Sequence, residues 1–408
     1  MPAPRRARRH VPALLGAVGV LLCAVTLPLG AVGGSAAPAP DVVAPSEVAF
    51  SLAMLRQLSG SSPSDLVLSP SSLEAALAMV ALGAKGATES GIISALQAGP
   101  MSAGMLASSF AALRDALSSA KDVTLDESDA LFAERGVTAR PAYVASLRAD
   151  FAASLHVVDF ETDPEGAIRS VNAFVDSGTK GLIPVLFPSP LSRATTFLLA
   201  DAIYLQAKWA TPFRHDATAP GTFYRSPRSS ETVPFLHGSI PASFLERPGL
   251  TAVALPYAGG GLQALVLEPT SGSIGAFIAG LRPSVLTAVL AGLAAGSIDL
   301  SLPKLDLRSG ESLNGPLEAL GMTTAFSNSA DLSGIAPYPP LQVSLVRQAA
   351  TLRVDEAGTT AAAATGVGII ATALPANRAI IDIDRPFVFL VRDVPTGAIV
   401  FEAVVVEP

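Results

Sequence analysis

The chain has 408 residues, half of them hydrophobic, with one cysteine and a formal net charge of −7. An acidic chain with no basic run beyond its first ten residues excludes a nucleic-acid partner, whose backbone is met with clustered Lys and Arg. A single cysteine excludes a disulfide framework and a thiolate metal site.

Residues 1–36 read as a signal peptide. "RRARRH" is the basic start, "VPALLGAVGVLLCAVTLPL" the apolar core, and "GAVGGSAAPAP" supplies small residues suited to cleavage after Gly33 or Ala36. The apolar stretch approaches the lower length of a membrane span, so a retained anchor is the alternative. Lipid attachment at Cys23 is disfavoured by the bulky Leu22 before it, and the Arg pair only faintly suggests a twin-arginine signal. Export is the expectation. Loss of Arg5, Arg6, Arg8 and Arg9 would leave a mature chain of charge −11 without cysteine, held by its core alone. About 370 residues are ample for that core, and no linker forces a boundary within 37–408.

Apolar residues at helical spacing in "SEVAFSLAMLRQL" predict a helix, with Ser46 as its cap. "LSPSSLEAALAMVALGAKGAT" predicts a strand end, a Ser/Pro turn and a buried helix with Ser71 or Ser72 near its start. A further helix is expected around Met105 to Ser118. Then "VTLDESDALFAE" reads as strand, "RPAYVASLRADF" as helix, "LHVVDF" as strand, and "PEGAIRSVNAFVDSGTKGLIPVLF" as a helix ending near Gly178. "ATTFLLADAIYLQAKW" is a long apolar strand ending at Trp209, the only Trp, and "TAVALPYAGGGLQALVLEP" is two strands around a glycine turn. "LSLPKLDLRSGESLNGPLEALGM" opens extended and becomes helical after Ser309, and "RPFVFLVRDVPTGAIVFEAVVVEP" is a hairpin turning at Pro395 to Gly397. Helices come mostly early and strands mostly late, an α+β chain.

Little of this carries chemistry. His10, His156, His215 and His237 stand apart in the sequence, and there is no HExxH, no Walker pattern and no GxSxG elbow. No metal and no cofactor are expected. Asp and Glu are scattered, which leaves a hydrolase with an unrecognised carboxylate pair as an alternative.

The informative stretch is "VDEAGTTAAAATGVGIIATALP", Val354 to Pro375. Thr359, Thr360 and Thr365 disfavour helix, Gly358, Gly366 and Gly368 weaken it further, and Ala and Gly bury too little to fix an interior strand. The bland reading is a low-complexity surface loop. The other is a strand in waiting, because a run without large side chains can enter a sheet with few conflicts. One face would carry Thr359, Ala361, Ala363, Thr365, Val367 and Ile369, and the other Thr360, Ala362, Ala364, Gly366 and Gly368. From Thr359 to Thr372 such a strand would extend roughly 46 Å, at about 3.3 Å per residue.

Six separated blocks in order resemble the serpins, a family of serine protease inhibitors: "LSPSSLEAALAMVALGAKGAT", "VNAFVDSGTKGLI", "LLADAIYLQAKWATPF", "LPKLDLRSGESLNGPLEALGMTTAFSNSADLSGI", "VDEAGTTAAAAT" and the closing hairpin. The fourth is close to antitrypsin, and the whole is similar to a secreted, bacterial-type member. The resemblance implies an α+β serpin fold, with mostly early helices packed on a large five-stranded central β-sheet, two further sheets, and an exposed reactive loop at about 357–380. It implies an irreversible suicide-type inhibitor rather than an enzyme, a monomer that traps the acyl-enzyme of a serine protease by inserting its cleaved loop into the central sheet, with no membrane partner once the signal is removed. The hinge maps to Glu356, Gly358, Thr359, Thr360, Ala361, Ala362, Ala363, Ala364 and Thr365. Lys304 would pair with Glu356 at the breach, where Trp209 either controls insertion or simply packs in the core. The shutter maps to Ser69, Ser72, Asp201 and Gln348. The last two depart from the usual Asn and His, so their hydrogen bond either survives in altered form or leaves Asp201 a buried unpaired charge. The reactive bond falls at Thr372–Ala373, with Ala371 and Leu374 as register alternatives. Small residues there suit elastase- or subtilisin-like proteases, and Leu374 a chymotrypsin-like one. A non-inhibitory serpin used for binding or storage, and an unrelated extracellular domain, are the competing readings.

Overall fold

The computed structural model describes residues 40–60, 63–118, 123–359 and 378–408. The signal segment, Thr360 to Thr365 of the hinge, and Ala371 to Leu374 around the reactive bond lie outside the described residues.

Among the described residues six helices precede residue 180: α1 (Pro40–Ser59), α2 (Pro70–Gly83), α3 (Gly86–Ala95), α4 (Ala103–Ser118), α5 (Pro141–Phe151) and α6 (Pro164–Gly178). Apart from Ala75 and Leu82, every residue of α2 is buried, as its small and apolar composition on all sides requires. Its cap is Ser69 rather than Ser71 or Ser72: the Ser69 hydroxyl accepts from the Ser72 N–H, and Pro70 takes the first helical position. Because α1 starts at Pro40, Ser46 lies inside that helix and does not cap it. Later come α7 (Ile274–Gly280), α8 (Pro283–Gly292) and α9 (Asn314–Ala319). No single helix among the described residues is long and apolar enough to cross a membrane.

One sheet contains five long strands, β2 (Val123–Glu134), β3 (Ser154–Val158), β4 (Phe197–Lys208), β10 (Leu305–Ser312) and β11 (Leu345–Val354), with the two-residue β12 (Gly358–Thr359) wedged between β11 and β4. Their order is β10-β11-β12-β4-β2-β3. The helix expected after Ser309 starts five residues later. Ser309 to Ser312 are held extended by pairing with Arg347 to Ala350 of β11.

The remaining strands are β1 (Leu66–Leu68), β5 (Ala219–Ser226), β6 (Ser229–Arg247), β7 (Leu250–Pro256), β8 (Leu262–Glu268), β9 (Ala294–Pro303), β13 (Arg378–Asp382), β14 (Phe387–Asp393) and β15 (Ile399–Val405). They form one hydrogen-bonded path, β1-β15-β14-β8-β7-β6-β9-β13, with β5 on β6. The two further sheets run together because β6 is 19 residues long. It pairs with β5 and β9 over most of its length and with β7 at its end.

β4 is buried on both faces. Leu198, Ala200 and Ala202 join Ile168, Val171 and Val175 of α6. Phe197 and Leu199 meet the residues of α2, and Ile203, Leu205 and Ala207 meet the apolar side chains of the nine-stranded sheet. Asp201 falls on this second face, between Leu199 and Ile203, at the seam between two cores.

Beneath α2 lies a group of buried carboxyls: Glu47 on α1, Glu74 on α2 and Glu402 on β15. Ser51 donates to one oxygen of Glu402 at 2.5 Å, while both oxygens of Glu74, Oε2 of Glu47 and Oε1 of Glu402 have no protein partner. Burial pushes Glu47 and Glu402 up to about 8, with Asp393 adding to the rise at Glu47, and pushes Glu74 well above the carboxylate range. Their carboxyls hold protons in the fold that the unfolded chain releases above pH about 4.5. Stability is therefore highest below that pH and falls as pH rises through about 8 for Glu47 and Glu402. Glu74→Met removes a polar group without partners, so it is expected to raise stability by about 1–3 kcal/mol. It should also flatten the decline with pH, and denaturant melts at pH 5 and pH 8 check both.

Candidate functional site

β11 ends at Val354, and the chain turns back through Asp355 to Gly358. The Asp355 carboxylate accepts from the N–H groups of Ala357 (2.8 Å) and Gly358 (3.2 Å), and the Asp355 N–H donates to the Gly358 carbonyl. This tight Asx-type turn delivers β12 into the sheet, where Thr359 stands opposite both Val354 and Ala207. Glycine is required at 358 by close approach. A Cβ there would lie 2.1 Å from the Ala207 carbonyl oxygen and 2.7 Å from Lys208 Cα. The Thr359 side chain is buried and meets the Tyr257 hydroxyl at 2.5 Å.

Glu356 is fastened from three sides. Lys304 Nζ donates to Oε2 at 2.8 Å, Thr218 Oγ1 donates to Oε1 at 2.6 Å, and His215 Nδ1 lies 3.2 Å from Oε1. Burial alone would raise its pKa, but these hydrogen bonds outweigh it and hold the carboxyl at about 2. The anchor's contribution is thus present above the ordinary value of 4.5 and lost only as pH falls through about 2. Trp209 packs in the core and also hydrogen-bonds to the turn that follows β11. It is 3 % exposed and stacks on Tyr257 at 4.6 Å. Its indole N–H donates to the Asp355 carbonyl and its backbone N–H to the Ala357 carbonyl.

Lower in the same seam, β4 and β11 pair directly, with Gln348 opposite Asp201. The two departures from the family pattern meet here. Gln348 Nε2 donates to Asp201 Oδ2 at 2.5 Å, and Ser72 Oγ donates to Oδ1 at 2.6 Å. Gln348 also spans the Ser69 peptide, accepting from its N–H at 2.7 Å and donating to its carbonyl at 2.9 Å. The Ser69 hydroxyl donates to the Val400 carbonyl. Asp201 is therefore not the unpaired buried charge that the sequence left open.

Ser69, Ser72, Asp201 and Gln348 thus converge at one point, and Glu356, Gly358, Thr359, Lys304 and Trp209 at another. Sequence reasoning missed Tyr257, Thr218, His215 and Asp355 at the upper point and Asp129 at the lower. Only chain topology brings these polar residues in, although "DESDALF" does place Asp129 on a strand beside β4.

The family model described as Serpin (serine protease inhibitor) matches residues 45–408. Iripin-2 of Ixodes ricinus is 32% identical over 362 residues, covering 86% of this chain and 90% of the relative. The leukocyte elastase inhibitor of Sus scrofa is 31% identical over 367 residues, covering 86% and 96%. Human thyroxine-binding globulin, solved in complex with thyroxine, superposes with a TM-score of 0.82 at 25% identity, covering 90% of this chain and 99% of that one. These relatives come from animals, not bacteria.

Proposed function

The chain belongs to the serpin family, whose members are inhibitors or carriers and not enzymes, and on that premise we propose an irreversible, suicide-type inhibitor of serine endopeptidases. The protease serine attacks the carbonyl carbon at Thr372, or at Ala371 or Leu374 if the register slips. The peptide bond breaks, the new amine leaves on the C-terminal fragment, and an ester joins the two proteins. The freed strand then enters the seam between β4 and β11, carrying the protease with it before water can resolve the ester.

One observation supports this reading: Gly358 and Thr359 already stand in the sheet between β4 and β11, and the residues that follow them in the sequence are small. Continued down the seam, the same register would set position 361 between Leu205 and Leu352 and position 365 between Asp201 and Gln348. Small residues at 371–373 and the name of the Sus scrofa relative favour an elastase-like target, with subtilisin- or chymotrypsin-like proteases as neighbours in specificity. The basic and apolar start of the chain supports export.

The likeness to a thyroxine-binding protein favours a second reading, a carrier or storage member of the same fold. Mixing the protein with elastase distinguishes the two. The inhibitor is expected to give a protease–inhibitor band that survives boiling in detergent, whereas a carrier would be cut, or left intact, without one.

A further inference from the structure

The seam that insertion must open is fastened at Gln348 and Asp201, and this fastening rests on a carboxylate. Asp201 is fully buried, with its two oxygens turned to Ser72 and Gln348. Asp129 of β2, its direct cross-strand partner, brings a second carboxyl into hydrogen bonding with it, and the Ser72 hydroxyl lies 3.4 Å from Asp129 Oδ1. Two carboxyls in contact share a proton, because they cannot both ionise cheaply. Gln348 cannot adapt by turning its amide over, since that would break both bonds to the Ser69 peptide. Ser72 can adapt, because its hydroxyl is free to rotate from donor to acceptor.

We propose that protonation of the Asp129–Asp201 pair loosens the β4–β11 seam, making loop insertion faster in mildly acidic solution than at neutral pH. The inference rests on the insertion reading above. A proton added to Asp201 Oδ1 is accommodated by rotation of Ser72, and it converts the Gln348 bond from charge-assisted to neutral, roughly halving its strength. Opening the seam removes the Gln348 donor and leaves Asp201 in the core, so the open state holds the proton more tightly than the closed one. Burial, opposed by the hydrogen bonds from Ser72, Gln348 and Asp129, already raises Asp201 to about 6 in the closed sheet. Opening therefore becomes easier as pH falls from above that value through it. The other groups at this point are Glu311 of β10, opposite Gln348, and Arg114 of α4 and Asp150 of α5, which line a shallow cavity with Asp129 and Ser71.

The test is annealing of a capped peptide with the sequence of residues 359–372, which has no titrating side chain, to the intact protein at pH 5.5 and 7.5, followed on native gels. The wild type is expected to anneal about fivefold faster at pH 5.5. Asp201→Asn, an uncharged isostere, should anneal at a nearly pH-independent rate close to the acidic one. Gln348→Met, which removes the fastening altogether, should be fast at both pH values and decides the matter if the first variant does not fold. His215→Gln, which removes the imidazole beside Glu356, should keep the wild-type ratio of rates at the two pH values. Equal wild-type rates, a retained dependence in Asp201→Asn, or its loss in His215→Gln would each overturn the proposal. Absence of annealing at every pH, in every variant, would instead contradict the insertion reading.

Discussion

Ala361→Arg is expected to turn the inhibitor into a substrate, while Ala362→Arg continues to inhibit. The Thr359 side chain points into the core, against Tyr257, and position 361 lies on the same face of an inserting strand. In the register set by Thr359 it would enter between Leu205 and Leu352, both fully buried. A guanidinium without a partner there costs several kcal/mol. Insertion need only be slowed below deacylation, and about 1.4 kcal/mol on the barrier changes that race tenfold. Position 362 falls on the opposite face, level with Tyr204 and two residues along β4 from half-buried Gln206, with exposed Lys208 further along that face, so a long stem can carry its charge out to water. The bait is intact in both variants, so both should be cut. The measurement is the number of inhibitor molecules consumed per protease trapped. It should rise at least tenfold for the Ala361 variant and little for the Ala362 one. Equal values would refute the face assignment, and full inhibition by Ala361→Arg would count against insertion itself.

The face that position 361 takes depends on both the sequence and the fold, which are legible in the chain to different degrees. β2 was read at its observed bounds, Val123 to Glu134, and the closing hairpin at its turn, because long alternating or apolar runs between turn residues leave few choices. β5 and β6 were not anticipated. Pro220, Pro234 and Pro241 interrupt their pattern, and proline ordinarily argues against strand. The short α3, α7 and α8 were also missed, having few periodic positions to count. At the site, Glu356, Lys304 and Trp209 were found through the family resemblance, since no local pattern joins residues more than 50 positions apart. The shutter shows the limit of residue-by-residue transfer. Asp201 and Gln348 each depart from the family pattern, yet together they remake a hydrogen bond across the seam. Asp129, which gives that bond its sensitivity to protons, was passed over as one acidic residue among many. Its meaning depends on standing opposite Asp201 in the sheet.

Nicking the loop within Ala371 to Leu374 is expected to raise the melting temperature, the reverse of what a chain break usually does. Among the described residues, β12 stands opposite β4 at Gly358 and Thr359 and opposite β11 at Thr359, and further down the seam β4 and β11 pair directly. An inserted strand would make ladder bonds to β4 on one side and β11 on the other, each contributing about 1 kcal/mol net. Its alternate side chains would also bury apolar area against Leu205, Leu352 and their neighbours. Ordering the backbone costs about 1–2 kcal/mol per residue, so the gain depends on both sides of the strand being paired. Insertion breaks the direct β4–β11 pairing between Leu198 and Ile203, so over that stretch the net gain is one ladder, which roughly cancels the ordering cost, and the second ladder above it together with apolar burial makes the sum favourable. A net gain of several kcal/mol in a domain of this size corresponds to a rise on the order of 10 °C. Melting curves of intact and nicked protein, at one pH and concentration, measure it. An unchanged midpoint would mean that the cut loop stays outside the sheet, which would remove the stored energy on which trapping depends while leaving the family assignment intact.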